Sequence, residues 1–286
     1  MAQGTYYVPH TARWPIIGSV GLFLLMLGAG SWLNGVATGP WLTLAGAAVL
    51  IFMLFGWFAE VIRESESGLY NATVDGSFRQ GMIWFIFSEV MFFAAFFGAL
   101  FYARVFVVPW LGGEGTGAIT NELLYPEFDA AWPTAGPATL GGQFETIPAF
   151  GLPLVNTLIL LTSGLTITLA HWALKKQQRA ALIGWMLATI ALGGTFLYIQ
   201  GYEYLHAYQD LGLTLGSGIY GSTFFMLTGF HGLHVTLGAI MLTVITIRCM
   251  AGHFSKKNHF GFEAVAWYWH FVDVVWLGLF IFVYVL

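Results

Sequence analysis

Seven stretches of this sequence stay apolar for longer than a helix in a water-soluble domain requires: residues 16–33, 41–59, 81–106, 153–174, 182–203, 222–247 and 263–286. A helix rising about 1.5 Å per residue needs roughly 20 residues to cross about 30 Å of hydrocarbon, and each run reaches or approaches that length. In lipid every backbone amide must find its partner within the protein, so only helices and closed barrels cross; runs this long and uniformly apolar are helices. The predicted fold class is an all-α membrane protein with seven transmembrane helices.

The charge inventory agrees. Only 8% of the residues are charged, against about 25% in a soluble domain. Ten Lys and Arg stand against 14 Asp and Glu, so the basic excess that nucleic acid demands is missing and no nucleic-acid partner is expected. Cys249 is the single cysteine; neither a Cys-x-x-Cys pair nor a cluster with metal-ligand spacing is apparent, and no metal site is expected in the chain. No Gly-x-Ser-x-Gly turn or comparable nucleophile motif occurs, so no catalytic residue is assigned. The first run exceeds the core of a signal peptide and has only Arg13 as a basic flank, which makes it a retained helix.

Basic residues set the orientation. Arg13 precedes the first span, Arg63 and Arg79 lie between the second and third, Lys175, Lys176 and Arg179 between the fourth and fifth, and Arg248, Lys256 and Lys257 between the sixth and seventh. Only Arg104 falls toward the other face, so the N-terminus is expected on the cytoplasmic or matrix side and the C-terminus outside. Residues 1–60 then form an N-terminal two-helix unit and 61–80 an inner-side linker of mixed charge. Residues 81–286 form a five-helix bundle with a long outer loop at 107–152. That loop carries Glu114, Glu122, Glu127, Asp129 and Glu145 without a Lys or Arg. Its Trp110, Phe128, Trp132 and Phe144 predict packing on the outer surface, with an acidic dock for a basic partner as the alternative.

Within "GMIWFIFSEVMFFAAFFGALF" (81–101) stands one carboxylate, Glu89. A charge in hydrocarbon costs several kcal/mol, so such a group needs a partner, a proton or water. Glu89 lies roughly 12 Å from the inner end of its span, His270 and Asp273 roughly 10 and 15 Å from the same side, and His231 and His234 roughly 17 and 12 Å. These groups share a layer. The expectation is a contact from Glu89 to His231 or His234, with His270 and Asp273 as a second intramembrane polar pair; the alternative for each is interhelical glue worth about 0.6 kcal/mol. His234 and His270 come from different helices at similar depth, so spacing alone leaves a haem open. Trp57, Trp172, Trp185 and Trp267 fall where an aromatic belt would. Gly229, Gly232 and Gly238 mark close helix packing.

Five stretches carry a resemblance: "GSTFFMLTGFHGLHVTLGAIML" (221–242), "GFEAVAWYWHFVDVVWLGLFIFVYVL" (261–286), "GMIWFIFSEVMFF" (81–93), "LPLVNTLILLTSGLTITLAH" (152–171) and "WFAEVIRE" (57–64). Together they resemble the subunit III family of cytochrome c oxidase in its seven-helix form. The resemblance implies a non-redox accessory subunit beside subunit I, its main contact, with subunit II in the same complex. Haem and copper would reside in those partners, and the complex would oxidise cytochrome c, reduce dioxygen to water and pump protons. It also implies that the two-helix and five-helix bundles form a V-shaped cleft holding phospholipids. Trp57, Arg63, Glu64 and Arg248 would then lie near lipid headgroups, with ordinary positive-inside flanking as the alternative. Glu89, His231 and His234 match the family's buried carboxylate and paired histidines, whose implied role is support for proton uptake and for durability of the neighbouring active site. This chain departs from the family at "GLYN" (68–71), where a His-rich segment is common, and at Trp172, which replaces a second His after His171. The implied location is a bacterial plasma membrane or a mitochondrial inner membrane. Two rivals are a proton or ion transporter, which would be expected to carry inverted repeats not seen here, and a haem-bearing membrane electron carrier.

Overall fold

Three of the apolar runs begin with a proline in the first helical turn, where its missing amide costs nothing and its fixed φ suits the helix. The computed structural model describes residues 6–9, 12–137 and 141–286. Among them are no strands and seven helices long and apolar enough to cross a membrane: α1 (Trp14–Leu33), α2 (Gly39–Glu66), α3 (Ala72–Leu111), α4 (Leu152–Lys175), α5 (Arg179–Gln209), α6 (Gly218–Ala251) and α7 (Phe260–Val285). Gly252 closes α6 in the left-handed conformation, φ +85°, which a residue without a Cβ adopts at no steric cost.

Several helices outrun their apolar cores. Because α2 continues to Glu66 and α3 starts at Ala72, only residues 67–71 of the expected 61–80 linker are non-helical. The intrahelical hydrogen-bond ladder continues past the hydrocarbon boundary, whereas hydropathy registers only the oily part. At its far end α3 widens into π turns over Ala103–Val107 before a last turn, Val108–Leu111.

Inter-residue contacts divide the chain into two compact units, Met1–Gln80 and Gly81–Leu286. In the first, α1 and α2 form a hairpin whose buried helical residues are all glycine: Gly21 and Gly28 on α1, Gly39 and Gly46 on α2. At Gly28 an added methyl would overlap the Thr43 amide nitrogen, and at Gly46 that of Leu25. The two backbones approach through these gaps, the usual means of helix association where lipid supplies no hydrophobic drive. The hairpin's polar end is tied by Glu64, whose carboxylate accepts hydrogen bonds from the hydroxyls of Tyr7 (2.8 Å) and Tyr70 (2.6 Å). Trp14 Nε1 donates to Glu60.

The second unit buries bulk. Trp269, Trp276, Phe93, Phe196, Phe224 and Phe262 are its largest fully enclosed side chains. Both tryptophans belong to α7, and each indole donates to a hydroxyl of α4: Trp269 Nε1 to Ser163 Oγ and Trp276 Nε1 to Thr157 Oγ1, each at 2.9 Å. Small residues make room for these rings, since Gly193 of α5 and Gly238 of α6 both face Trp269. The outer loop folds back as expected for two of its aromatics, with Trp132 and Phe144 packing on Tyr220 (centroids 5.7 and 5.3 Å). The Arg104 guanidinium lies over the Trp132 ring at 5.7 Å. A short helix, Ala118–Leu124, is tied to the end of α3 by Asn121 Nδ2, which donates to the Leu111 carbonyl at 3.0 Å.

Candidate functional site

Glu89 of α3 meets His234 of α6, with Oε2 to Nε2 at 2.9 Å. The other ring nitrogen, Nδ1, faces the carbonyl of Phe230 one turn back at 2.6 Å. A carbonyl only accepts, so Nδ1 carries a hydrogen, and a further proton must lie between Nε2 and the carboxylate for that contact to be attractive. The pair therefore holds one shared proton, as imidazolium with carboxylate or as imidazole with carboxylic acid. Either arrangement is neutral overall, which is how helices in lipid tolerate the acid. The ring sits among Phe92, Phe93, Tyr268 and Phe271, with centroids 5.0 to 6.3 Å away. Glu89 keeps 22% of its side chain exposed.

His231, one turn earlier, does something else. It is fully buried, Nε2 donates to the Val272 carbonyl of α7 at 3.1 Å, and its ring packs on Trp276 (5.0 Å) and Phe196 (5.6 Å). Three residues along a helix is about 300° of turn, enough to aim His234 at α3 and His231 at α7. Of the two alternatives for Glu89, the geometry selects His234.

His270 Nδ1 and Asp273 Oδ2 are 3.7 Å apart, close enough for charge attraction but too long for a hydrogen bond. His270 is 45% exposed and reaches Thr168 of α4 through Nε2 at 3.3 Å. Asp273 is buried against Gly164 of the same helix. The two expected pairs lie on opposite sides of α7: Tyr268 and Phe271 face His234, while His270 and Asp273 face α4. His234 and His270 are not disposed as a ligand pair, since Glu89 and Phe230 take both nitrogens of one ring and the other turns toward a different helix. The haem arrangement left open by spacing does not fit these residues.

The residues assigned to lipid contact lie as follows. Trp57 is 48% exposed and stacks on Phe58 at 5.8 Å, Arg63 is exposed near the end of α2, and Glu64 is held by its two tyrosines. Those tyrosine hydroxyls are raised above their ordinary pKa: hydrogen bonding to Glu64 is the main cause for Tyr7, and burial followed by the same carboxylate for Tyr70. The Arg248 guanidinium lies 4.5 Å from the Phe254 ring centroid under the α6–α7 connection.

Sequence reasoning missed two groups. Glu203 of α5 is 2% exposed, and neither of its oxygens is hydrogen-bonded among the described residues. A Glu six residues from the end of α5 looks interfacial in sequence, and only packing reveals its burial. His171, His259 and Glu263 also converge. The four-residue spacing of the last two on one helical face was a readable signal, but their meeting with His171 was not.

The chain matches the family model described as Cytochrome c oxidase subunit III over residues 4–286. It is 39% identical to "Cytochrome c oxidase subunit 3" of Gadus morhua over 280 residues, covering 98% of this chain and 96% of that one. The protein of the same name from Pongo abelii is 40% identical over the same lengths. That of Marchantia polymorpha is 39% identical, covering 98% of this chain and 95% of its own. With sequence similarity spanning nearly every residue and seven membrane-length helices, the chain belongs to the cytochrome c oxidase subunit III family.

Proposed function

We propose that this chain is the non-redox accessory subunit of a proton-pumping cytochrome c oxidase, held beside the subunit I that carries haem and copper, with subunit II in the same complex. Family membership supports the assignment to the oxidase, an oxidoreductase complex of a respiratory membrane. The clustering of basic residues supports an N-terminus on the cytoplasmic or matrix side of a bacterial plasma membrane or mitochondrial inner membrane. Exposed Trp57 and Arg63 at the end of α2, together with Arg248, suit phospholipid headgroups, because a guanidinium offers paired donors to phosphate.

The observation that carries the mechanistic reading is the 2.9 Å contact between Glu89 and His234. The shared proton can shift between oxygen and nitrogen without creating net charge in lipid; handing it on leaves one negative charge on the pair until a proton taken up from the aqueous side replaces it, so the pair can buffer proton delivery to a neighbouring subunit and take no part in redox chemistry. His231 acts as a positioning residue that fixes α6 to α7 behind His234. The test is made on the intact complex purified through a tag on this chain. Haem-bearing companions should co-purify, and Glu89→Gln should slow proton uptake during turnover and shorten the active lifetime while leaving the haem spectra unchanged. Recovery without haem-bearing chains would overturn the assignment. Recovery with them, but with uptake and lifetime identical to the wild type, would overturn the role of the pair alone.

A further inference from the structure

The geometry points to a second one-proton site in the bundle: His270 and Asp273, across α7 from Glu89 and His234, hold a single exchangeable proton between them in a space kept open by Gly164. The hydroxyl of Thr168 donates to the Gly164 carbonyl one turn back in α4, at 2.9 Å. Its oxygen is then left to accept, so His270 Nε2, at 3.3 Å, is the donor and carries a hydrogen. This fixes which nitrogen faces the acid. It is Nδ1, 3.7 Å from Asp273 Oδ2.

A neutral imidazole hydrogenated on Nε2 and an ionised carboxylate would meet lone pair to lone pair. Among the described residues Asp273 has no cationic partner other than His270, and it is buried. A bare carboxylate roughly 15 Å into its span costs several kcal/mol. One proton between the two groups removes that cost, as imidazolium with carboxylate or as imidazole with carboxylic acid, and it belongs to the pair rather than to either residue. In the acid form the hydrogen sits on Oδ2, because Oδ1 is buried with no hydrogen-bond partner among the described residues. Transfer across the pair requires the gap to close by roughly 1 Å, to ordinary hydrogen-bond length.

Gly164 makes the arrangement possible. A Cβ there would stand 2.2 Å from Asp273 Oδ2 and 3.5 Å from His270 Nδ1, so the carboxyl group lies against bare backbone and any larger residue would part it from the imidazole. The two proton sites also open in opposite senses. Here the histidine side chain is 45% exposed and the acid 8%, whereas His234 is 10% and Glu89 22% exposed. A proton therefore enters and leaves this site through the imidazole, and the other site through its carboxyl group. Release through His270 leaves one negative charge on Asp273, and uptake restores neutrality.

The chain is purified from its membrane with whatever subunits accompany it, and infrared spectra of the wild type, His270→Gln and Gly164→Ala are compared in light and heavy water. The difference between wild type and His270→Gln should contain, besides the lost imidazole bands, a carboxyl change that moves when aspartate is isotope-labelled and moves again in heavy water. Gly164→Ala keeps both groups but parts them, so it should reproduce the carboxyl change with the imidazole bands displaced and not lost. His270→Gln alters a half-exposed residue and carries the test should Gly164→Ala fail to assemble. Loss of imidazole bands without any aspartate change would overturn the shared proton, and an aspartate change insensitive to prolonged heavy-water exposure would overturn its exchange. On a Glu89→Gln background the aspartate change should persist; its disappearance there would overturn a site separate from Glu89. None of these spectra bears on the role proposed for Glu89 in proton delivery.

Discussion

The two units solve the same problem by opposite means. In the α1–α2 hairpin the buried residues are glycines, and 6% of the apolar window of α2 is enclosed by the chain; in α7 the figure is 56% and the enclosed residues include tryptophan and phenylalanine. Lipid tails are as apolar as leucine, so helices in a membrane are not driven together by hiding oil. They gain either from dispersion between closely approaching backbones or from interlocked rings tied by buried hydrogen bonds. The first route needs the absence of side chains and the second their bulk. The two should therefore fail under opposite substitutions.

Trp276→Ala should cause the largest loss, about 3 to 5 kcal/mol, by opening a cavity and removing the indole donor from the Thr157 hydroxyl; the thermal unfolding of the purified chain reads it. A loss under 1 kcal/mol would mean that the second unit does not depend on its rings. Gly28→Val tests the other route. Its side chain meets the backbone of Thr43, and the expected cost is about 1 to 3 kcal/mol, concentrated in the hairpin and visible as faster proteolysis of the α1–α2 turn.

Tyr70→Phe should cost about 1.5 kcal/mol, the worth of one hydrogen bond to a charged group. Burial and the Glu64 carboxylate raise the folded pKa of Tyr70 above that of an ordinary tyrosine, so this contribution should be fully present below about pH 10 and fade as pH rises through the folded value. A difference between wild type and Tyr70→Phe that persists at strongly alkaline pH would show that the hydroxyl proton is not what matters. The smallest effect is a control: Gly30 has nothing within 4 Å of an added Cβ, so Gly30→Ala should be neutral or stabilising by up to about 1 kcal/mol through helix propensity alone. Destabilisation there as large as at Gly28 would remove the argument from backbone approach.

Hydropathy revealed the seven helices because the width of hydrocarbon imposes itself on any sequence that crosses it. It missed their ends, as at Glu66 and Ala72, because a helix in headgroups or water needs no apolar residues. Depth arithmetic placed Glu89, His234 and His231 in one stratum, but depth is a single coordinate. Which imidazole meets the acid depends on rotation about each helix axis and on which neighbours it packs against, and neither is written locally. The same limit hid the meeting of His171 with His259 and Glu263. Local spacing displays pairs on one helix, while encounters between α4 and α7 exist only after the bundle assembles.

Two indoles of α7 reach two hydroxyls of α4, Trp269 to Ser163 and Trp276 to Thr157, two turns apart along antiparallel axes. Sliding one helix along the other would break both bonds together and drive two large rings through packed walls. Piston strokes between these two helices are thereby opposed, and relative motion that keeps both bonds is confined to small tilts.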